Sequence, residues 1–413
     1  MKIFLAFFSE NIYFSYLCTQ ILRDFKMKQT KNTASSIHCQ CGVDLPEESR
    51  KDNIRNVRAT GVEQHVCIFT GARPNFVKVA PIIRAIECTE GISYQLIYAG
   101  CQDDPTIEPS LFDDLQMPRP DVFLGVDCEN LNELTGRVMA AFERYLDNHA
   151  TDTVIVVDDL ASTMAAAIVT KKHGLRLAHI VAGTRSFDIN MPKEINRLVI
   201  DGLSDLLFTA GMVSSSIATR EGAEMNKIYM VGNILMDSLR FNHDRWQRPA
   251  CLDGVGDGHY LVFTVNRKVL ISDNEKLQQM MDVISRMAGD IPVIAPLRGK
   301  AYMLASEKST FCVTEPLSYL EFGYLTLHAK GIITDSGNVA EEATFNHVPC
   351  ITLNSYTEHI ETVKQGTNVL VGENIEQLQE SLRLLVEGEW KHGSLPDRWD
   401  GRTAERIVQT LLA

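Results

Sequence analysis

A glycine turn near residue 71 is followed closely by two cations, a combination that could bind a phosphate group. A short apolar run ends at Thr70, the chain turns at Gly71, and Arg73 opens a stretch with apolar residues at helical spacing. The first N–H groups of a helix are unpaired and lie at the positive end of its dipole, so they attract anions. With Arg73 and Lys78 beside that helix start, the segment is a candidate anion site. The alternative is an ordinary strand-turn-helix unit.

A second turn of this kind lies at residues 334–338, where an apolar run ends in Thr-Asp-Ser-Gly-Asn. Ser336, Gly337 and Asn338 could cradle a phosphate at the start of the helix that follows. Glu342 comes about one turn later, where a carboxylate could accept hydrogen bonds from a ribose diol. Two such turns facing each other would suit a nucleoside diphosphate with a group attached, although Ser336 could equally be a plain helix N-cap.

Strands and helices alternate along most of the chain, which predicts parallel sheets covered on both faces. The predicted strands are residues 94–98, 153–157, 177–181 and 228–231, then 260–264, 292–296, 331–334 and 350–353. Residues 103–121 have four prolines and several acids, and they are predicted to form a loop. The fold class predicted is α/β, with two Rossmann-like doubly wound domains facing a central cleft.

The domain organisation follows from where this alternation stops and starts. The predicted organisation is a poorly patterned N-terminal extension at 1–62, a first Rossmann-like domain at 63–242, a second Rossmann-like domain at 259–390, and a C-terminal segment at 391–413. The polar, glycine-containing stretch between the two domains makes the best boundary.

Composition narrows the class of protein. Apolar content of 45% and charged content of 23% are ordinary for a globular protein, and a net charge of −13 argues against a nucleic-acid surface. The ten cysteines are scattered, and Cys39 and Cys41 lack the partners of a zinc site, so we expect no metal and no cofactor. We expect a cytoplasmic, reducing location without membrane attachment, since no segment approaches membrane-spanning length.

Seven segments, in order along the chain, together resemble the non-hydrolysing UDP-N-acetylglucosamine 2-epimerases, which have the two-domain glycosyltransferase-B fold. The matching segments read TGARPNFVKVAPI, MPKEINR, SDLLF, VGNILMDSL, TDSGNVAEEATFNHVPCITL, QGTNVLVG and WDGRTAERI. Such epimerases interconvert UDP-GlcNAc and UDP-ManNAc by eliminating UDP and adding it back from the other face.

The resemblance implies a UDP or UDP-sugar ligand, a homodimer, a role in cell-surface polysaccharide biosynthesis, and a C-terminal helix that crosses back onto the first domain. It also implies a set of residues around UDP. These are Arg73, Lys78, Phe322, Ser336, Gly337, Asn338 and Glu342, with His359 where the family has an arginine. Because histidine titrates near neutral pH, nucleotide affinity is expected to strengthen as pH falls toward about 6.

The chain departs from the family pattern where the acid/base residues should lie. Val181 stands in place of the glutamate of HxEAGxR, Lys193 in place of the first carboxylate of PEEINR, and Asn266 in place of a histidine. Asp159 and Arg197 are retained. Moving the C2 proton of the sugar needs well-placed acid/base groups, and valine has no proton to exchange.

These departures predict a protein that binds UDP or a UDP-sugar but lacks ordinary epimerase activity. One alternative is a working epimerase that uses Asp159 with unfamiliar partners. Another is a glycosyltransferase of the same fold, which the epimerase-like motifs argue against. A third is a regulatory subunit paired with an active paralogue.

Overall fold

The computed structural model describes residues 63–413. The predicted N-terminal extension at 1–62 lies outside the described residues, and the bounds of the predicted domains stay a prediction.

The first half of the described chain is built on a seven-stranded parallel sheet with the strand order β3-β2-β1-β4-β5-β6-β7. Its strands are β1 (Gln64–Thr70), β2 (Ile92–Tyr98), β3 (Val122–Phe123), β4 (Thr153–Val157), β5 (Arg176–Ala182), β6 (Leu206–Thr209) and β7 (Ile228–Met230). The central strand β4 is buried along its whole length because helices cover both faces of the sheet.

Seven α-helices connect these strands. They are α1 (Arg73–Glu87), α2 (Pro109–Leu115), α3 (Leu131–Asn148), α4 (Ala161–Lys172), α5 (Pro192–Leu203), α6 (Met212–Arg220) and α7 (Ile234–Asn242). Each follows the carboxyl end of a strand or a loop from it, which places the starts of α1, α4 and α5 along one edge of the sheet.

The second half repeats the plan with a six-stranded parallel sheet, in the order β10-β9-β8-β11-β12-β13. Its strands are β8 (Leu261–Thr264), β9 (Val293–Pro296), β10 (Phe311–Thr314), β11 (Gly331–Thr334), β12 (Cys350–Thr352) and β13 (Asn368–Leu370). The helices are α8 (Lys268–Ser272), α9 (Asn274–Ala288), α10 (Gly299–Ser306), α11 (Tyr319–Leu327), α12 (Gly337–Phe345), α13 (Ile360–Lys364) and α14 (Ile375–Glu387). The predicted fold class is confirmed, since two parallel sheets of alternating strands and helices are present.

The last helix, α15 (Thr403–Leu412), packs on the first half of the chain rather than the second. Its apolar side chains Ile407, Val408 and Leu411 are buried in the core that surrounds α1. The start of α15 is fixed by Asp237 of α7, whose carboxylate accepts from the N–H groups of residues 403 and 404 at 3.0 and 2.8 Å.

One predicted loop is wrong. Residues 103–121 contain α2, which begins at Pro109 and buries Leu111, Phe112 and Leu115 against the first core. The prolines suggested a loop, but proline is compatible with the first turn of a helix, and the spacing of the apolar residues was the stronger signal. Within residues 63–413, no helix is both long enough and apolar enough to span a membrane.

Candidate functional site

A cavity of about 280 Å³ lies between the two sheets, where strands of both halves end. This is the place where parallel sheets usually bind ligands. Its wall contains nine of the residues that the sequence predicts for UDP binding or catalysis, five from the first half of the chain and four from the second. They are Lys78, Asp159, Val181, Lys193, Arg197 and, across the cavity, Ser336, Gly337, Asn338 and His359.

Four predicted site residues are absent from that wall. Arg73 lies in the first turn of α1, between wall residues, and Glu342 lies in α12. Phe322 packs against the core of the second half, because α11 turns this half-buried ring toward apolar neighbours. Asn266 is exposed just after β8, with its N–H donating to Asp335 at 2.8 Å.

The glycine turn before α1 differs from the open anion site predicted from the sequence. The N–H groups of Gly71 and Ala72 are not free, because both donate to Asn75 Oδ1, at 2.9 and 3.2 Å. Glycine is required at 71, since a Cβ there would lie 2.1 Å from Ser162 Oγ. The turn is therefore closed by its own asparagine, a helix-start contact that the unpaired N–H argument overlooked.

Lys78 projects from α1 into the cavity and pairs with Asp158, with 2.5 Å between Nζ and Oδ1. Burial acts to lower the pKa of Lys78, but Asp158 and Glu341 outweigh it, and the pKa lies above its ordinary value. The lysine is therefore a permanent cation on the cavity wall.

Asp159, the retained carboxylate, is held by two cations. Arg197 Nε donates to its Oδ2 at 2.8 Å, and Lys193 Nζ lies 3.3 Å from its Oδ1. Burial acts to raise the pKa of Asp159, but Lys193 and Arg197 outweigh it and hold the pKa below its ordinary value. A carboxylate with a lowered pKa is a weak base and is not protonated near neutral pH.

Arg197 connects the two halves of the chain. Besides Asp159, it donates to Glu194 at 3.0 Å and to Glu358 of the second half at 2.8 Å. Its side chain is only 5% exposed, so each of these charge-assisted bonds forms away from bulk water.

Glu194, the carboxylate next to Lys193, is occupied elsewhere. Its Oε2 accepts from the N–H and hydroxyl of Ser186, each at 2.9 Å, and its Oε1 accepts from the N–H of Phe187 at 2.9 Å. It fixes the loop before α5 and is not part of the cavity wall.

Val181 interrupts β5 at the cavity wall. The pairing between β5 and β6 shifts register between Ile180 and Ala182, and Val181 has a φ of 71°. A left-handed backbone is strained for a β-branched residue. The bulge turns residue 181 toward the cavity, where its side chain offers no acid or base.

The turn before α12 keeps the features of an anion site. Ser336 is the N-cap of this helix, with its Oγ 3.5 Å from the N–H of Val339, and Gly337 and Asn338 extend the cavity wall. His359 faces this helix start, since its ring lies 3.3 Å from the place where a Cβ on Gly337 would be. The turn and the imidazole together could contact a phosphate group.

His359 is bonded to a buried carboxylate. Its Nδ1 lies 2.8 Å from Glu341 Oε1, and that same oxygen accepts from Asn233 Nδ2 of the first half at 2.7 Å. Burial acts to lower the pKa of His359, but Glu341 outweighs it, so the pKa lies above its ordinary value. Glu342 beside it has a pKa raised to about 8 by burial and by Glu341.

Comparison with known protein families shows which family the chain belongs to. The family model described as UDP-N-acetylglucosamine 2-epimerase matches residues 84–412. The chain belongs to this epimerase family. It is 33% identical over 362 residues to the UDP-N-acetylglucosamine 2-epimerase of Methanocaldococcus jannaschii, covering 83% of this chain and 98% of that one.

Two further relatives extend the comparison. The UDP-2,3-diacetamido-2,3-dideoxy-D-glucuronate 2-epimerase of Pseudomonas aeruginosa is 32% identical, over 77% of this chain and 91% of its own. The crystal structure of the M. jannaschii UDP-GlcNAc 2-epimerase in complex with UDP-GlcNAc and UDP superposes with a TM-score of 0.74 at 32% identity, covering 84% of this chain and 99% of that chain. The predicted glycosyltransferase-B arrangement of an epimerase is thereby confirmed.

Some residues of this epimerase-family cleft were not identified from the sequence as site residues. Asn75, Thr184 and Glu358 all reach the cavity wall. Asn75 could have been suspected, because asparagine side chains often bond to nearby backbone groups at helix starts. For Glu358, the position next to His359 was the only feature of the sequence that indicated a site residue. Within residues 63–413, no three His, Cys, Asp or Glu side chains are grouped to hold a metal ion.

Proposed function

We propose that this protein binds UDP or a UDP-sugar in the cleft between its two domains, and that it lacks ordinary epimerase activity. The observation that carries the proposal is the cavity wall itself. It combines the start of α12 at Ser336 with the cations Lys78 and Arg197, in a fold whose M. jannaschii relative was crystallised with UDP-GlcNAc and UDP.

In this proposal the nucleotide is bound mainly by the second domain. Ser336, Gly337 and Asn338 contact the phosphates, with His359 as an additional cation. Glu342 accepts hydrogen bonds from the ribose, and Phe322 lies nearer the base. Ligand binding would have to draw Arg73, Phe322 and Glu342 to the cavity, for which closure of the two domains is the usual means.

The absence of ordinary activity follows from the acid/base residues. Val181 cannot exchange a proton, Lys193 is a cation beside Asp159, and Asn266 lies exposed away from the cavity wall. Removing one acid/base group typically costs about 10²–10⁴ in rate. With these three losses and the lowered pKa of Asp159, no side chain at these positions is suited to remove the proton from C2 of the sugar.

A second candidate function is a working epimerase with an unusual base. Asp159 lies on the cavity wall, and its contact with Lys193 could relay a proton if a ligand separated the pair. Incorporation of deuterium from D2O at C2 of UDP-GlcNAc, when the purified protein is present, would favour this candidate.

We also infer that the protein is cytoplasmic and forms a homodimer or associates with an active paralogue. Light scattering of the purified chain, and co-purification from its native source, test these assemblies. A monomer that brings no related chain with it would contradict both.

Calorimetry with UDP tests the binding proposal. Arg73→Ala is expected to weaken binding by roughly 1.5–3 kcal/mol, as for a charge-assisted contact. Arg137→Ala is the matched control, because that side chain is 58% exposed on α3 and has the same charge. Failure to bind UDP or any UDP-sugar at millimolar concentration would remove the proposal.

A further inference from the structure

The carboxylate of Asp158 binds Lys78 and Asn75, two side chains of the cavity wall that could otherwise contact a bound anion. Its Oδ1 lies 2.5 Å from Lys78 Nζ, and its Oδ2 accepts from Asn75 Nδ2 at 2.8 Å. The side chains of Lys78 and Asp158 are only 7% and 17% exposed, so water screens the pair little. The cation that a ligand phosphate would meet on this side of the cleft is therefore already paired.

The turn before α1 is filled in the same way. Asn75 Oδ1 takes the N–H groups of Gly71 and Ala72, while its Nδ2 donates to Asp158. One asparagine thus joins the turn to the carboxylate. The donors that a bound phosphate would use are satisfied by the protein itself.

The backbone at Asp158 is unusual for a residue with a side chain. Its φ is 61°, a left-handed value that glycine adopts without strain. The conformation is held by a hydrogen bond of 3.0 Å between His179 Nε2 and the Asp158 carbonyl. A glycine could occupy this position without disturbing the backbone, so the carboxylate is not needed for the turn to form.

We propose that Asp158 is an internal counter-ion that competes with the ligand's phosphate groups for Lys78, and so sets the affinity of the cleft for nucleoside diphosphates. The inference rests on the proposed function, since it concerns the same ligand. A phosphate can form an ion pair with Lys78 only if it displaces Asp158 or shares the lysine with it. That competition reduces the free energy of binding. Affinity for a diphosphate is therefore lower than the cations on the wall would otherwise allow.

Calorimetry with UDP on Asp158→Gly and Asp158→Asn tests this proposal. Both variants free Lys78, and each is expected to bind UDP about tenfold more tightly than the unmodified chain. Glu133→Gln is the matched control, because it makes the same charge change on the exposed face of α3 and should leave affinity unchanged. In the Lys78→Met background, Asp158→Gly should bring no gain over Lys78→Met alone, as a double-mutant cycle requires.

Each outcome decides the matter. Tighter binding by both Asp158 variants, lost with Lys78→Met, supports the counter-ion, as does UDP binding that is detectable only in those variants. Unchanged or weaker binding by variants whose thermal unfolding is intact overturns it and leaves UDP binding in place. If the unmodified chain and every variant fail to bind UDP, both the counter-ion and the proposed function are overturned.

Discussion

Lys193 Nζ lies 3.3 Å from Asp159 Oδ1, so a cation faces the carboxylate that the sequence predicts as a retained acid/base group. Arg197 holds the other oxygen of the same group. Where a proton-transfer site needs a carboxylate poised to gain and lose a proton, this one is fixed in its charged form. The arrangement suits binding of a polar ligand better than removal of a proton from carbon.

The effect of Lys193 on the pKa of Asp159 can be tested by titration. Lys193→Gln is expected to raise the pKa of Asp159, because burial then meets less opposition from positive charge. Carbon NMR of labelled aspartate carboxyl groups measures the shift. Lys276→Gln, which removes an exposed lysine paired with Glu373, should leave the titration of Asp159 unchanged. An unaltered pKa of Asp159 in Lys193→Gln would contradict a role for Lys193 in lowering it.

Removing the charge of Arg197 is expected to lower the stability of the fold strongly. Arg197→Gln leaves three carboxylates without their buried partner, so we expect a loss of about 3–5 kcal/mol in the free energy of unfolding. Arg383→Gln serves as control, since Arg383 also contacts several glutamates but is 39% exposed and should cost under about 1 kcal/mol. Urea denaturation measures both. Equal losses would mean that burial of the Arg197 network contributes nothing.

The raised pKa of His359 predicts a pH-dependent contribution to stability. A histidine whose folded pKa is raised stabilises the fold fully below its unfolded pKa of about 6.5, and that stability is lost as pH rises through the folded value. The melting temperature of the unmodified chain should therefore exceed that of His359→Gln most at acid pH. The charged groups facing His359 are Glu341, Glu358 and Lys78.

The same shift changes the expected pH dependence of binding. The sequence suggested an ordinary histidine, but the bond to Glu341 moves the titration of His359 upward. UDP affinity is therefore expected to fall as pH rises through the raised pKa of His359, at a higher pH than an ordinary histidine would give. Calorimetry across pH 6–9 measures this dependence, and the same slope in His359→Gln would contradict it.

Glu342 predicts a second pH effect of the same sign. Its pKa is raised to about 8, so the folded state holds a proton that the unfolded state releases near its ordinary value. Stability should therefore fall between about pH 4.5 and 8, by roughly 1–3 kcal/mol for a partly buried carboxyl. Denaturation of Glu342→Gln across that range should lack this decline. A Glu342→Gln curve parallel to that of the unmodified chain would exclude the effect.

Much of the fold could be predicted because the buried strands of a parallel sheet are apolar along their length. Val154 and Val157 in β4, for example, are completely buried. The helix α2 was missed because the prolines in and around it suggest a loop, although its apolar residues have helical spacing and pack against the first core. Short elements of this kind depend on tertiary packing more than on local propensity.

The site could be predicted only in part. Lys78 and Ser336 were chosen because they follow strand ends, and both lie on the cavity wall. The contacts that modify them were hidden, since Asn75 and Asp158 are 83 residues apart and Arg197 and Glu358 are 161 apart. No local pattern reports which distant side chain completes a charge pair.

We expect ordinary epimerase activity to be absent, because Val181, Lys193 and Asn266 fill the three positions where the resemblance predicts acid/base residues. Restoring one position should do little, since such groups act as a unit. Val181→Glu, Lys193→Glu and Asn266→His together should be required before activity rises.

The most direct measurement is NMR of UDP-GlcNAc incubated in D2O with the purified, unmodified protein. We expect no UDP-ManNAc and no deuterium at C2 above the level of a protein-free control, while the triple variant produces both. Interconversion of the two sugars by the unmodified protein at several turnovers per second would contradict the account, and Asp159 would then be the first residue to mutate.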